Sequence, residues 1–128
     1  MDHTRKESDL PESIVHWGWR YHHLGVPTKE KKPGERYLPG LKFYVSGFET
    51  SPFGVEWMRF EPDSPMHPLI QRVPHLAFEV DDLDRELQRL PFHILQAPNS
   101  PAEGIRVAMI EHEGAPIELI EFRSSSSG

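Results

Sequence analysis

The chain contains no cysteine, which excludes disulfides, thiolate-bound zinc and thiol nucleophiles together. Any metal must therefore be held by histidine, aspartate or glutamate. Long apolar runs are missing too: no stretch approaches the roughly 18 residues of a membrane-spanning helix. The N-terminus also lacks the charged-then-apolar order of a secretion signal. A cytoplasmic protein without membrane contact is the expectation. Positive charge is scarce, with 14 basic against 20 acidic residues and no basic cluster beyond Lys29–Lys32. That argues against nucleic acid as the main partner, because neutralising phosphates requires a concentrated basic face.

What the chain does have is a single domain's length, 128 residues, and eight histidines. Met1–Ser13 is polar and aperiodic and is expected to be a poorly ordered tail, as is Ser124–Gly128. Residues 14–123 then form one domain. Tyr21–Val26 reads as a strand stopped by Pro27. Thr28–Gly40 is charged and broken by Pro33, Gly34, Pro39 and Gly40, so it holds a short helix at best. Leu41–Phe48 and Val55–Phe60 read as β-rich runs joined by a turn at Glu49–Gly54. Glu61–Gln71, with its three prolines, reads as a linker. Pro74–Val80 is a strand. Asp81 or Asp82 then suits the N-cap of a helix over Leu83–Leu90, with Leu83, Leu87 and Leu90 at helical spacing, ended by Pro91. His93–Gln96 is a short strand and Asn99–Gly104 a loop. Ile105–Ile110 and Pro116–Phe122 make a hairpin across Glu111–Ala115, where Gly114 supplies a positive φ.

An internal repeat organises these elements. His23-Leu-Gly-Val opens the first half, and His75-Leu-Ala-Phe-Glu-Val opens the second. Gly54-Val-Glu56-Trp-Met-Arg-Phe60 closes the first, and Pro116-Ile-Glu118-Leu-Ile-Glu-Phe122 closes the second. The His-to-Glu separation is 33 residues in one and 43 in the other, and the deficit falls where the first half lacks a clear helix. Side chains alternate along a strand, so His75, Ala77 and Glu79 share a face opposite Leu76, Phe78 and Val80. His23 and Gly25 likewise share a face. Each histidine is thus followed, two residues on, by a very small residue on its own face, as the floor of a cavity would need. Glu118 lies opposite Ile117 and Leu119, and Glu56 opposite Val55 and Trp57, so each glutamate points away from a packed face.

The chain resembles the vicinal oxygen chelate superfamily, which includes glyoxalase I, methylmalonyl-CoA epimerase, extradiol dioxygenases and bleomycin resistance proteins. The resemblance rests on Tyr21-His-His-Leu-Gly-Val26, Val73-Pro-His-Leu-Ala-Phe-Glu-Val-Asp-Asp-Leu83 and Gly114-Ala-Pro-Ile-Glu-Leu-Ile-Glu121. It implies an α+β fold: two βαβββ modules, about 20–61 and 73–122, forming a cup-shaped mixed sheet, with the first module's helix truncated. By position it implies His23, Glu56, His75 and Glu118 as ligands of one divalent metal. His22 is the rival of His23, but His23 keeps the register that His75 shows. Glu121 is the rival of Glu118, and alternation turns it to the opposite face.

Two imidazoles and two carboxylates suit zinc, nickel, cobalt or manganese. Such an ion can bind adjacent substrate oxygens and stabilise an enediolate, with Glu56 or Glu118 as the catalytic base. A lyase or isomerase of the glyoxalase or epimerase kind is the leading expectation. An extradiol-type dioxygenase, with two histidines and one carboxylate on iron, is the first alternative. A metal-free small-molecule binding protein is the second. Trp57, Arg59, Asn99 and Arg106 are candidates for substrate contact, with Tyr44 and Ser100 beside them, arginine being the usual partner of a carboxylate or phosphate. A small-molecule substrate and a homodimer complete the expectation.

Overall fold

A computed structural model describes residues 10–123; most of the N-terminal segment expected to be a tail, and all of the C-terminal one, lie outside the described residues. A one-turn helix α1, Glu12–Val15, begins within the last residues of the former. The strands that follow are β1 (Arg20–Pro27), β2 (Arg36–Leu38), β3 (Phe43–Ser46) and β4 (Val55–Phe60), with a 3-10 turn at Phe48–Thr50. After α2 (Pro68–Arg72) come β5 (His75–Glu79), α3 (Leu83–Leu87), β6 (His93–Ala102), β7 (Ile105–His112) and β8 (Ala115–Phe122). All the strands join one eight-stranded mixed sheet in the order β2-β3-β4-β1-β5-β8-β7-β6. This is the α+β cup that the resemblance implied. In each module the first and last strands pair in parallel, β1 with β4 and β5 with β8, and the modules join through antiparallel β1 and β5. The sheet curls far enough for the β2–β3 connection and β6, at its two ends, to line a common cavity of about 300 Å³.

The two faces carry different cores, as alternation demands. Outside the cup, Phe78, Val80, Ala108, Ile110 and Leu119 pack with Leu83 of α3 and with Trp19. Inside it, Phe43, Val45, Met58 and Met109 pack with Met66 and with Ile70 of α2. Leu83 and Ile70 are both fully buried, and each anchors a short helix by about 1.5–3 kcal/mol of apolar transfer. The Asp82 side chain caps α3 by accepting from the Arg85 N–H. The β7–β8 hairpin turns through Glu113 and Gly114, both at positive φ.

Four sequence expectations change. The Thr28–Gly40 segment contains no helix but an edge strand, β2, stabilised by pairing with β3, a long-range partner that local composition does not reveal. The Glu61–Gln71 segment, expected from its three prolines to be a linker, contains α2: Pro68 stands at the first helical position, where its missing N–H is harmless. The Asn99–Gly104 loop is largely strand, because β6 continues to Ala102 through three register irregularities against β7. Finally, α3 stops at Leu87, leaving Leu90 nearly half exposed.

In the first module the helix-free segment is tied to the outer face of the sheet. Arg59 Nε and Nη2 donate to the two Glu35 oxygens at 2.8 and 2.7 Å, while Lys32 lies over the Trp57 ring and Arg59 over that of Tyr44. In the second module Glu86 of α3 is 1 % exposed yet ionised. It accepts from Trp19 Nε1 at 2.7 Å, from Arg89 at 2.8 and 2.9 Å, and from Arg85 at 3.2 Å. Burial alone would raise its pKa, but these donors outweigh burial and bring it from 4.5 to about 2. A depressed carboxylate stabilises the fold above its unfolded pKa and stops doing so as pH falls through its folded one. Glu86→Gln is therefore expected to cost on the order of 3 kcal/mol at neutral pH. Denaturant titrations of both proteins should show that difference shrinking as pH falls from about 4.5 toward about 2.

Candidate metal centre

Strand register brings the repeat's four residues together in two parallel rungs. In one, Glu56 of β4, Gly25 of β1 and His75 of β5 are successive neighbours across the sheet. In the other, His23 of β1, Ala77 of β5 and Glu118 of β8 are neighbours. Each rung thus reads carboxylate, small residue, histidine, and each histidine shares a rung with the other module's glutamate. The small residues have a definite task. A Cβ on Gly25 would stand 2.1 Å from His75 Cε1 and 2.6 Å from its Nε2, so the bare glycine is the seat of the ring.

His75 Nε2 lies 2.9 Å from Glu118 Oε1, and His23 Nε2 lies 3.3 Å from the same oxygen and 3.7 Å from Glu56 Oε1. The imidazoles are buried, at 4 % and 2 % exposure, whereas both carboxylates keep some access to the cavity. His23 Nε2 is buried without an aligned hydrogen-bond partner among the described residues, although oxygens stand close by. An orphaned nitrogen aimed between two carboxylates fits a cation better than a protein–protein hydrogen bond. His23, His75 and Glu118 offer ligand atoms within 4.8 Å of one another; Glu56 stands just outside this group. The donor set of imidazole nitrogen and carboxylate oxygen suits a borderline divalent ion.

Electrostatics separate the two glutamates. Burial would raise Glu118, yet contacts with His23 and His75 outweigh it and hold its carboxyl well below the usual range. Glu56 is raised: burial outweighs the opposing charge of His23, and the Glu118 charge adds to burial against the weaker effects of His75 and Arg36. His23 shows the complement: burial disfavours its protonated form, but Glu118 and then Glu56 outweigh burial and raise its pKa.

His22 is the residue that simple alternation misplaces. The β1–β5 register slips between Tyr21 and His23, and this bulge lets adjacent histidines face the same side. His22 lines the cavity, stacks on Phe48 with ring centroids 5.0 Å apart, and places Nδ1 2.8 Å from His23 Nδ1. When the His23 Nδ1–H donates across that contact, its Nε2 presents a lone pair to the site. The pair His22-His23 in the sequence was the available signal. Glu121 is turned outward, where it accepts from the Leu83 N–H at the start of α3.

The cavity above the centre has a volume of about 490 Å³. His75, Glu56 and Glu118 form part of its lining, together with Asn99 from the expected substrate contacts. Trp57, Arg59 and Arg106 do not line it. Trp57 and Arg59 alternate with Glu56 and Met58 and hold the outer segment described above. Arg106 alternates with Val107 and pairs with Asp84 of α3 at 3.0 and 3.2 Å. Tyr44 lies under Arg59, and Ser100 lines the smaller cavity between the sheet ends. Phe48, Phe122, Gln96 and Arg36 also line the main cavity; of these, the sequence singled out none.

No protein-family profile matches this chain, and no curated protein matches it by sequence. Solved structures do. Hypothetical protein BH1468 from Bacillus halodurans C-125 superposes with a TM-score of 0.65 at 16 % identity, over 86 % of this chain and 99 % of that one. Methylmalonyl-CoA epimerase from Mycobacterium tuberculosis superposes with a TM-score of 0.58 at 18 % identity, over 82 % and 89 % of the respective chains. At such identities the likeness is one of fold. Among the described residues no helix is long and apolar enough to cross a membrane.

Proposed function

We propose that the chain is a metal-dependent isomerase or lyase of the vicinal oxygen chelate superfamily, acting on a small molecule with adjacent oxygens. The observation that carries this is the meeting of His23, His75 and Glu118 within 4.8 Å at the floor of the cup, with the Glu56 carboxylate 3.7 Å from His23 Nε2. His23, His75 and Glu118 would hold a divalent ion, which would supply Lewis acidity to a pair of substrate oxygens. Glu56 is the base: its carboxylate takes the proton from the carbon beside the carbonyl and returns it to one of the two carbons. Burial of the imidazoles keeps water away from their outer faces, and Gly25 and Ala77 keep the rings in register. A homodimer in the cytoplasm accompanies this reading.

The same geometry favours one further reading. Two histidines and one carboxylate, with a second carboxylate set apart, also describe a site that could hold iron for an oxygenase.

One experiment separates the two. Protein purified without added metal is analysed for metal content, then offered thiol–methylglyoxal adducts, acyl-CoA epimers and catechols in deuterated buffer with several metals. The expected result is about one bound divalent ion per chain and exchange of a substrate C–H for solvent deuterium. Oxygen uptake on a catechol with ferrous iron would replace this assignment by the oxygenase. A chain that retains no metal in any form would overturn both.

A further inference from the structure

The lining of the cup points to the kind of substrate it takes, an inference that rests on the metal-centre reading above. Its walls are largely apolar, with Phe43 and Val45 of β3, Met58 of β4 and Met109 of β7. Its charged groups are mostly acidic: Glu49 joins Glu56 and Glu118. The two site glutamates together offset the charge of one divalent ion, so the loaded floor is close to neutral. Only Arg36, exposed at the rim, brings positive charge to the lining among the described residues. The arginines best placed in sequence to read an anion are engaged elsewhere, Arg59 with Glu35 and Arg106 with Asp84, both on the outside of the sheet. Away from Arg36, an anionic group carried into this cup would lose its water without gaining a charged side-chain partner, at an effective cost of several kcal/mol.

The polar groups that remain are uncharged. Gln96 and Asn99 project from β6, and both also line the smaller cavity of about 300 Å³ between the two ends of the sheet. That cavity adjoins the main one through Leu38, Leu41 and Pro101. A substrate longer than the main chamber would therefore meet carboxamides, proline and leucine there.

We propose that the substrate is an uncharged molecule with an aromatic or aliphatic body, carrying its vicinal oxygens at one end. The same lining disfavours phosphorylated and carboxylate-bearing bodies inside the cup. The carboxamides of Gln96 and Asn99 select a neutral hydroxyl, ether or amide on the far end of the body.

Hydroxamates test this directly, because they present the same oxygen pair to a divalent ion whatever their body. Zinc-loaded protein, its metal content measured first, is titrated calorimetrically with para-tert-butyl-, para-carboxy- and para-aminomethyl-benzohydroxamic acids. The tert-butyl compound is expected to bind at least about tenfold more tightly than the carboxy compound. Equal or tighter binding of the carboxy compound to protein holding its zinc would overturn the substrate class and leave the metal centre standing. Failure to hold zinc at all would remove the metal centre, and this inference with it. Gln96→Arg provides the complement: it should improve carboxy-hydroxamate binding by about tenfold at unchanged zinc content. No improvement in a folded, zinc-holding variant would show that the body does not lie where the lining places it.

Discussion

Gly25→Ala is expected to lower metal affinity by about 100-fold, as much as deleting a group that orients a ligand, although Gly25 itself binds nothing. The added methyl would overlap the His75 ring, 2.1 Å from Cε1. His75 has no easy retreat, being fully buried and held to Glu118 at 2.9 Å. Either the ring swings off the rung, which separates its nitrogen from the Glu118–His23 pair, or the β1–β5 pairing opens. Overpacking of this kind costs about 1–3 kcal/mol of stability, so the variant should remain folded but less stable. Competition with a chromophoric chelator would measure the affinity, and circular dichroism would confirm the fold. Ala77→Gly, at the equivalent place in the other rung, removes volume and should leave affinity within about tenfold. If Gly25→Ala bound metal as tightly as the parent, the glycine would be a mere strand residue and the rung geometry irrelevant to binding.

The second large effect is a division of labour between two glutamates that look alike in the sequence. Glu118→Gln is expected to abolish stable metal binding, because it removes the anion that both histidines approach. Glu56→Gln is expected to hold metal within about tenfold of the parent while turnover falls by about 10²–10⁴. The physical basis is that one environment holds a carboxylate low and the other raises it. The histidines outweigh burial at Glu118, whereas burial outweighs the histidines at Glu56. Such divergence is how two neighbouring carboxyls come to serve as ligand and base. Metal analysis and proton-exchange rates on the two variants decide it. Equal metal loss in both would make Glu56 a fourth ligand rather than a base; full activity in both would sink the catalytic assignment altogether.

Much of this centre was legible in the sequence because strand alternation is local. A period of two places His23 with Gly25, His75 with Ala77, and each glutamate opposite apolar neighbours, with no knowledge of what pairs with what. The same rule, applied evenly, would have turned Trp57, Arg59 and Arg106 away from the cup, since they alternate with Glu56, Met58 and Val107. They were proposed as substrate contacts on chemistry alone, and their true partners, Lys32, Glu35 and Asp84, are set by tertiary packing. Proline misled at α2 for a related reason. Pro68 is permitted at a helix start, but Ile70 keeps that helix in place through the inner core rather than through any local signal.

By itself, then, the sequence determined the two matching halves, the lack of a full first helix and the shared strand faces of His23 with Gly25 and His75 with Ala77, while the α+β cup came from the resemblance. Repeat and alternation are properties of contiguous chain, so they survive without coordinates. The tertiary structure alone decided which residues stand side by side. Register between strands put Gly25 under His75 and Ala77 beside His23, and a one-residue slip in β1 brought His22 to the cavity as well. Neither follows from local pattern, because register is chosen by the packing of whole faces. That choice turned four separate residues into a tight triad of His23, His75 and Glu118, with Glu56 standing beside it.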